Sequence, residues 1–292
     1  MAWTSGTAAA TGLGGQHNLV VALKAFLEGT PGWVSQRYVE TVTTDGATRE
    51  QIYKAPGLSG IEEIYVGFIA NRNVAADIYN FYISGFTGYI SGNPWSGQPS
   101  KLINEPQIPM WNSAIDYYFV ANGQRCIILT KINNIWVCGY FGKYLPYATP
   151  GQYPYPLYVG GMYTGSRIRY DNIGQVAFFK GGTIANYMRF VDGNWRQPQI
   201  FPYAGARILR NTKSVSTNTE VVEPGYWGLH PLVLSENTTG YVNNYGELDG
   251  LYYISGFSNA IGNIVTLSGI NYFIFSDFGR LGLKDFAALK LE

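Results

Sequence analysis

The sequence predicts a mainly β protein, built of antiparallel β-sandwich-like units with one N-terminal α-helix. Three observations predict it. Of 292 residues 36 are Gly, aromatics reach 16% with 24 Tyr, and charged residues fall to 13%, about half the usual globular share. A persuasive helical spacing of apolar residues occurs once, from Gln16 to Glu28. Elsewhere short runs rich in β-branched and aromatic residues alternate with turn dipeptides. The chain is about twice the usual domain length. It reads as residues 1–107, a helix plus β-hairpins, followed by 108–292, a larger antiparallel β domain, or else as one continuous domain.

The elements follow in order. Thr11-Gly12-Leu13-Gly14-Gly15 precedes the helix and invites a phosphate-binding reading, since helix N-termini offer free N–H groups to anions. No strand is expected before it, no Gly-Lys-Ser/Thr follows, and no βαβ unit is indicated, so it reads as a flexible arm, suited to lie along a neighbouring subunit. In the helix Leu19, Val20, Leu23, Phe26 and Leu27 share one face, and Gly29 and Pro31 stop it. Val34 to Val42 and Arg49 to Lys54 flank Thr44-Asp45-Gly46 as a hairpin, and Glu63 to Ala70 adds a strand.

Ile115 to Phe141 predicts a three-stranded meander with two-residue turns at Asn122-Gly123 and Asn133-Asn134. That register sets Phe119 opposite Cys126, Tyr117 opposite Ile128, Ile132 opposite Ile135 and Leu129 opposite Cys138. One face, with Ile115, Tyr117, Phe119, Cys126, Ile128 and Val137, is a core face. The other carries Asp116, Tyr118, Arg125, Leu129, Lys131, Trp136 and Tyr140, a mixed surface suited to water or a protein partner. Cys126 and Cys138 fall on opposite faces, which forbids a disulfide between them.

Leu145 to Leu157 holds four prolines and predicts an ordered aromatic strap rather than a helix or ladder. From Thr164 to Thr219 the pattern is weak, with Asp192-Gly193-Asn194-Trp195 as a hairpin tip and Asn211 to Glu220 as a loop. Strands return at Gly250 to Phe257, Asn263 to Leu267, Asn271 to Ser276 and Phe286 to Leu291, with a turn at Ser268-Gly269. Tyr82-Ile83-Ser84-Gly85-Phe86 recurs as Tyr253-Ile254-Ser255-Gly256-Phe257, which is either a duplicated sheet edge or a coincidence in a Tyr- and Gly-rich chain.

Function classes narrow on charge and ligand supply. Lys+Arg number 20 and Asp+Glu 19, a net +1, too balanced to follow a phosphate backbone or an anionic membrane by its field. Two cysteines and two histidines, His17 and His230, leave almost nothing for a metal site. No apolar run approaches the roughly 18 residues of a membrane span, and no secretion signal is evident. Glu247 and Asp249, with Trp227, Tyr241 and Tyr245 near them in sequence, are the best carboxylate pair for glycoside hydrolysis. They border glycines, where capping of turn N–H groups is the ordinary use. No nucleophile elbow is present. The expectation is therefore no catalytic residue, no cofactor and no metal. Sparse charge points to a surface covered by other subunits, with Tyr118, Arg125, Lys131, Trp136, Tyr140, Tyr153 and Tyr155 as the candidate contact surface.

Several motifs carry a family likeness. Ile108-Pro109-Met110-Trp111-Asn112 leads into Ile115 to Gly123, followed by the strap from Leu145-Pro146-Tyr147 to Tyr155-Pro156-Leu157. Tyr245-Gly246-Glu247-Leu248-Asp249-Gly250 and the ending Asp285-Phe286-Ala287-Ala288-Leu289-Lys290-Leu291 complete the set. Together they resemble tailed-bacteriophage virion structural proteins of about this length, which lie among tail genes, often of contractile-tailed phages. The resemblance implies a non-enzymatic, multicopy subunit of the neck, collar, tail or baseplate, assembled in the host cytoplasm. Its partners would be copies of itself and other virion proteins, with no nucleic-acid recognition and no membrane insertion. The rival expectation is a glycan-binding or glycan-cleaving tail-fibre or spike protein. A capsid-decoration protein is a third.

Overall fold

The computed structural model describes residues 2–29, 32–42, 46–149, 155–165, 168–180, 185–203, 228–238, 241–282 and 284–291. In chain order these form β1 (Ala2–Ala8), α1 (Gly15–Gly29), β2 (Val34–Val42), β3 (Gly46–Ala55), β4 (Ile64–Asn73), β5 (Ile78–Phe86), β6 (Gln107–Met110), β7 (Ile115–Ala121), β8 (Arg125–Ile132) and β9 (Ile135–Lys143). There follow β10 (Leu145–Pro146), β11 (Leu157–Gly160), β12 (Asn186–Arg189), β13 (Trp195–Arg196), β14 (Gln199–Phe201), β15 (His230–Thr238), β16 (Tyr241–Tyr253), β17 (Ile264–Leu267), β18 (Ile270–Ser276) and β19 (Phe286–Leu291). The protein is mainly β, antiparallel, with one α-helix near its N-terminus, as the composition and turn pattern predict.

The described strands form three sheets. An N-terminal sheet runs β2-β3-β4-β5-β6, a middle sheet β1-β7-β8-β9-β11-β12-β13, and a C-terminal sheet β14-β15-β16-β19-β18-β17, with β10 added on β16. The middle sheet is covered on both faces. On one side Phe119 meets Phe26 of α1 at 5.9 Å between ring centroids, and Phe141 meets Trp33 at 6.1 Å and Phe68 at 6.4 Å. On the other, Tyr118 and Trp136 pack on Phe273 at 4.3 and 5.3 Å. One hydrophobic cluster takes members from α1 and all three sheets. The division at 107/108 falls inside β6, and β1 pairs with β7 of the middle sheet.

The helix buries Leu19, Val20, Leu23 and Leu27 as its spacing predicts. Its glycine-rich approach is used for close passage of backbones. The Gly15 N–H donates to the Asn112 carbonyl at 3.1 Å, and a Cβ on Gly15 would stand 1.7 Å from the Ser113 carbonyl oxygen. A strand does precede the glycines, contrary to expectation: all seven residues of β1 pair in unbroken antiparallel register with β7, Ala2 opposite Ala121 through Ala8 opposite Ile115.

The meander forms, with one turn corrected. Ile132 faces Ile135 and Leu129 faces Cys138, as expected. At the first turn Ala121 faces Cys126 and Phe119 faces Ile128, and the Asn122 N–H donates to Arg125 O at 3.1 Å, so the two-residue turn is Gly123-Gln124, one position later than expected. The physical reason is Asn122, whose Oδ1 accepts from the N–H groups of Gln124 at 2.9 Å and Arg125 at 3.1 Å and so anchors an Asx-type turn over Gly123-Gln124. A two-residue slip preserves side-chain parity. Every residue therefore keeps its predicted face, and Cys126 and Cys138 are both free and buried.

The strap begins as β10, where Leu145 and Pro146 pair with Glu247 and Gly246 of β16 and Tyr147 N–H donates to Tyr245 O at 2.9 Å. Residues 150–154 lie outside the described set, as do Trp227 and the loop at 211–220. The hairpin tip at 192–195 is present between β12 and β13. The two copies of the Tyr-Ile-Ser-Gly-Phe echo occupy unlike settings. One ends β5, an inner strand of the N-terminal sheet, whereas the other leaves β16 after Tyr253.

Candidate functional site

Cross-strand register assembles a groove at the open edge of the middle sheet. Thr7 of β1 stands opposite Asp116 of β7, Asp116 opposite Lys131 of β8, and Lys131 opposite Trp136 of β9. The next row on the same face sets Ser5 opposite Tyr118, and Tyr118 opposite Leu129. Burial deepens along these rows. Ser5, Thr7 and Asp116 are exposed, Tyr118 and Lys131 half-buried, and Trp136 and Leu129 buried. Phe273 of β18 and Gly262 close the far wall, leaving a groove of about 360 Å³.

Its chemistry is mixed. Thr7 Oγ1 donates to Asp116 Oδ1 at 2.7 Å. Lys131 Nζ lies 5.8 Å from the Trp136 ring centroid, within cation–π reach. Burial, reinforced by the Asp116 charge, pushes the Tyr118 hydroxyl above its ordinary pKa, so it stays a neutral donor. The groove thus offers a carboxylate, an ammonium, the hydroxyls of Ser5, Thr7 and Tyr118, and an aromatic wall.

The structure brings together three of the seven predicted contact residues, Tyr118, Lys131 and Trp136. It corrects the placement of others. Arg125 and Tyr140 have no exposed surface and Trp136 retains 6%, because the C-terminal sheet and the segment carrying Phe178 cover the face that was expected to meet water or a partner. Tyr140 packs edge-on to Tyr158 at 5.5 Å and Phe178 at 6.3 Å, its hydroxyl donating to Lys143 O at 2.8 Å. Tyr155 is exposed, with the Arg189 guanidinium 5.3 Å from its ring. Tyr153 lies outside the described residues. Sequence reasoning missed β1, whose small polar run Thr4 to Thr7 carries no apolar alternation that would mark a strand.

Arg125 is spent inside the molecule. Its Nε donates to Asp249 Oδ2 at 3.2 Å, and Asn122 and Gln124 donate to the same oxygen at 2.7 and 3.1 Å. Burial alone would raise the Asp249 pKa, but the Arg125 charge and these three hydrogen bonds outweigh it and hold the carboxyl below its usual range. Gly250 beside it has φ +81°, and a Cβ there would lie 2.2 Å from Arg125 Nη2. Asp249 thereby joins the C-terminal sheet to the first meander turn, while Glu247 stands opposite Leu145 of β10. A second ionic group does similar work, with Asp277 accepting from Ala177 N at 2.7 Å and Arg280 Nη1 at 2.8 Å beside the Lys180–Asp285 pair.

Among the described residues no three His, Cys, Asp or Glu gather into a metal-binding group, and no helix is long and apolar enough to cross a membrane. Burial pushes both cysteine thiols up, away from the reactive thiolate. No protein-family model and no curated protein sequence matches the chain.

Proposed function

We propose that the chain is a non-enzymatic, multicopy structural subunit of a tailed-phage virion, in the neck, collar, tail or baseplate, acting through protein–protein contacts. One observation carries the reading beyond the motif resemblance. The sparse charges are largely cancelled within the molecule: the buried Arg125 and Arg49 and the buried Asp277 and Asp285 all stand in ion pairs. Among the described residues several of the exposed charges are paired as well, as in Lys24–Glu28, Lys54–Glu63 and Arg169–Asp77, which supports a surface suited to repeated burial. Such a subunit would meet copies of itself and other virion proteins after assembly in the host cytoplasm, with no cofactor.

The groove favours one rival. An aromatic wall beside Asp116, Thr7 and Lys131 is also a way to grip a sugar, which suits a glycan-binding fibre or spike. Quantitative mass spectrometry of purified particles, run beside incubation of the protein with host-surface polysaccharide, separates the two. The proposal expects many copies per particle and neither retention on nor trimming of the polysaccharide. Absence from particles, or release of reducing sugar, would overturn it.

A further inference from the structure

Edge strands invite pairing with other chains, and proteins guard them with charge, proline, bulges or brevity. Among the described edges five are guarded. β2 carries Arg37 and Glu40 and a bulge between Ser35 and Arg37, and β6 contains Pro109. β13 has two residues, β14 three and β17 four. β1 has none of these protections. It is seven residues long, Ala-Trp-Thr-Ser-Gly-Thr-Ala, uncharged, free of proline and unbroken in register. Its inner side pairs with β7, and no described strand pairs its outer side.

The same strand bears an exposed anchor beside a receptor for it. Trp3 is 44% exposed. It lies on the same face as Ser5 and Thr7, which line the groove.

We infer that β1 is a self-association edge, pairing antiparallel with β1 of a second copy about a two-fold axis through Ser5. This rests on the reading of the chain as an assembly subunit and names its partner. Centring the pair on Ser5 uses the whole strand, Ala2 facing Ala8 of the second copy, Trp3 facing Thr7, and Ser5 facing Ser5. Directly opposed side chains lie on one face about 5 Å apart. Each Trp3 therefore projects over the other copy's Thr7–Asp116–Lys131 row. There the Asp116 carboxylate can accept from the indole N–H and the Lys131 ammonium can face the ring. The pairing is isologous: each copy gives one tryptophan and receives one, and the two middle sheets become a single continuous sheet. No like charges meet along the edge.

The axis position supplies the test, because only the residue on the axis faces itself. Ser5→Lys and Ser5→Glu are exposed substitutions, and each sets like charges directly opposite one another. Light scattering of the full chain up to about 100 µM, a range suited to a small interface, should give a dimer for wild type. Each variant alone should show at least about tenfold weaker self-association, and an equimolar mixture should recover it. Normal circular dichroism of each variant excludes misfolding. A monomeric wild type would overturn the pairing. Self-association unchanged in both variants would overturn the β1 edge while leaving the assembly reading standing, and that reading fails separately if the chain is missing from particles.

Discussion

Asp249 shows how a carboxylate read as a catalytic candidate or a turn cap becomes structural. Its carboxylate is the counter-ion of Arg125, which is wholly buried. Removing one partner of such a pair strands a charge, so Asp249→Ala should cost about 3–5 kcal/mol in urea denaturation. The pH dependence has a definite sign. A carboxyl held below its unfolded value of about 3.9 contributes stability above that value and loses it as pH falls through the lower folded value. Asp249→Asn should accordingly be less stable at neutral pH and flatter on its acid limb. The groove offers a matched pair of tests. Trp136→Ser empties a buried site beneath Phe273 and should destabilise by about 3–5 kcal/mol, whereas Lys131→Ser, half-buried with its head at the groove, should shift stability by no more than about 0.5 kcal/mol. Equal effects of the two would show that the burial gradient along the row is wrong.

At the scale of elements, the helix and the meander were legible because each has a strong local signal. Leu19, Leu23 and Leu27 repeat at helical spacing, and the alternation from Ile115 to Phe141 survives a turn misplaced by one residue because the resulting two-residue slip keeps parity. Strand β1 was not legible: Thr4-Ser5-Gly6-Thr7 has no apolar alternation of its own and becomes a strand only by pairing with β7. The one-position shift of the turn past Asn122 was hidden for a similar reason, since its partners Asp249 and Trp33 are distant in sequence. The glycines before α1 were misread because their use depends on a contact with residues 112–113. Gly15→Ala tests that contact. With backbone 1.7 Å from the added carbon, the helix must shift, and a loss of about 1–3 kcal/mol in equilibrium unfolding is expected. An unchanged midpoint would return the glycines to a linker role.

At the scale of the whole molecule, much of the aromatic excess is absorbed inside. A middle sheet covered on both faces needs two sets of large side chains, and Tyr53, Tyr140, Tyr144 and Tyr158 are fully buried. Composition alone cannot tell rings that face a partner from rings that face a third layer, which is why Arg125, Trp136 and Tyr140 were expected outside. Because the core cluster runs through all three sheets, calorimetry should show one cooperative transition with equal calorimetric and van't Hoff enthalpies. Two separable transitions would favour the division near residue 107 over one continuous domain. The functional account rests on this body being repeated in a particle, its weakly charged exterior covered by neighbours. An electron-microscopy map of the intact virion tests that most directly. The account predicts this three-sheet fold in a symmetric set of copies in the neck, collar, tail or baseplate. Finding the fold nowhere in the particle, or only at a fibre tip gripping host sugar, would contradict it.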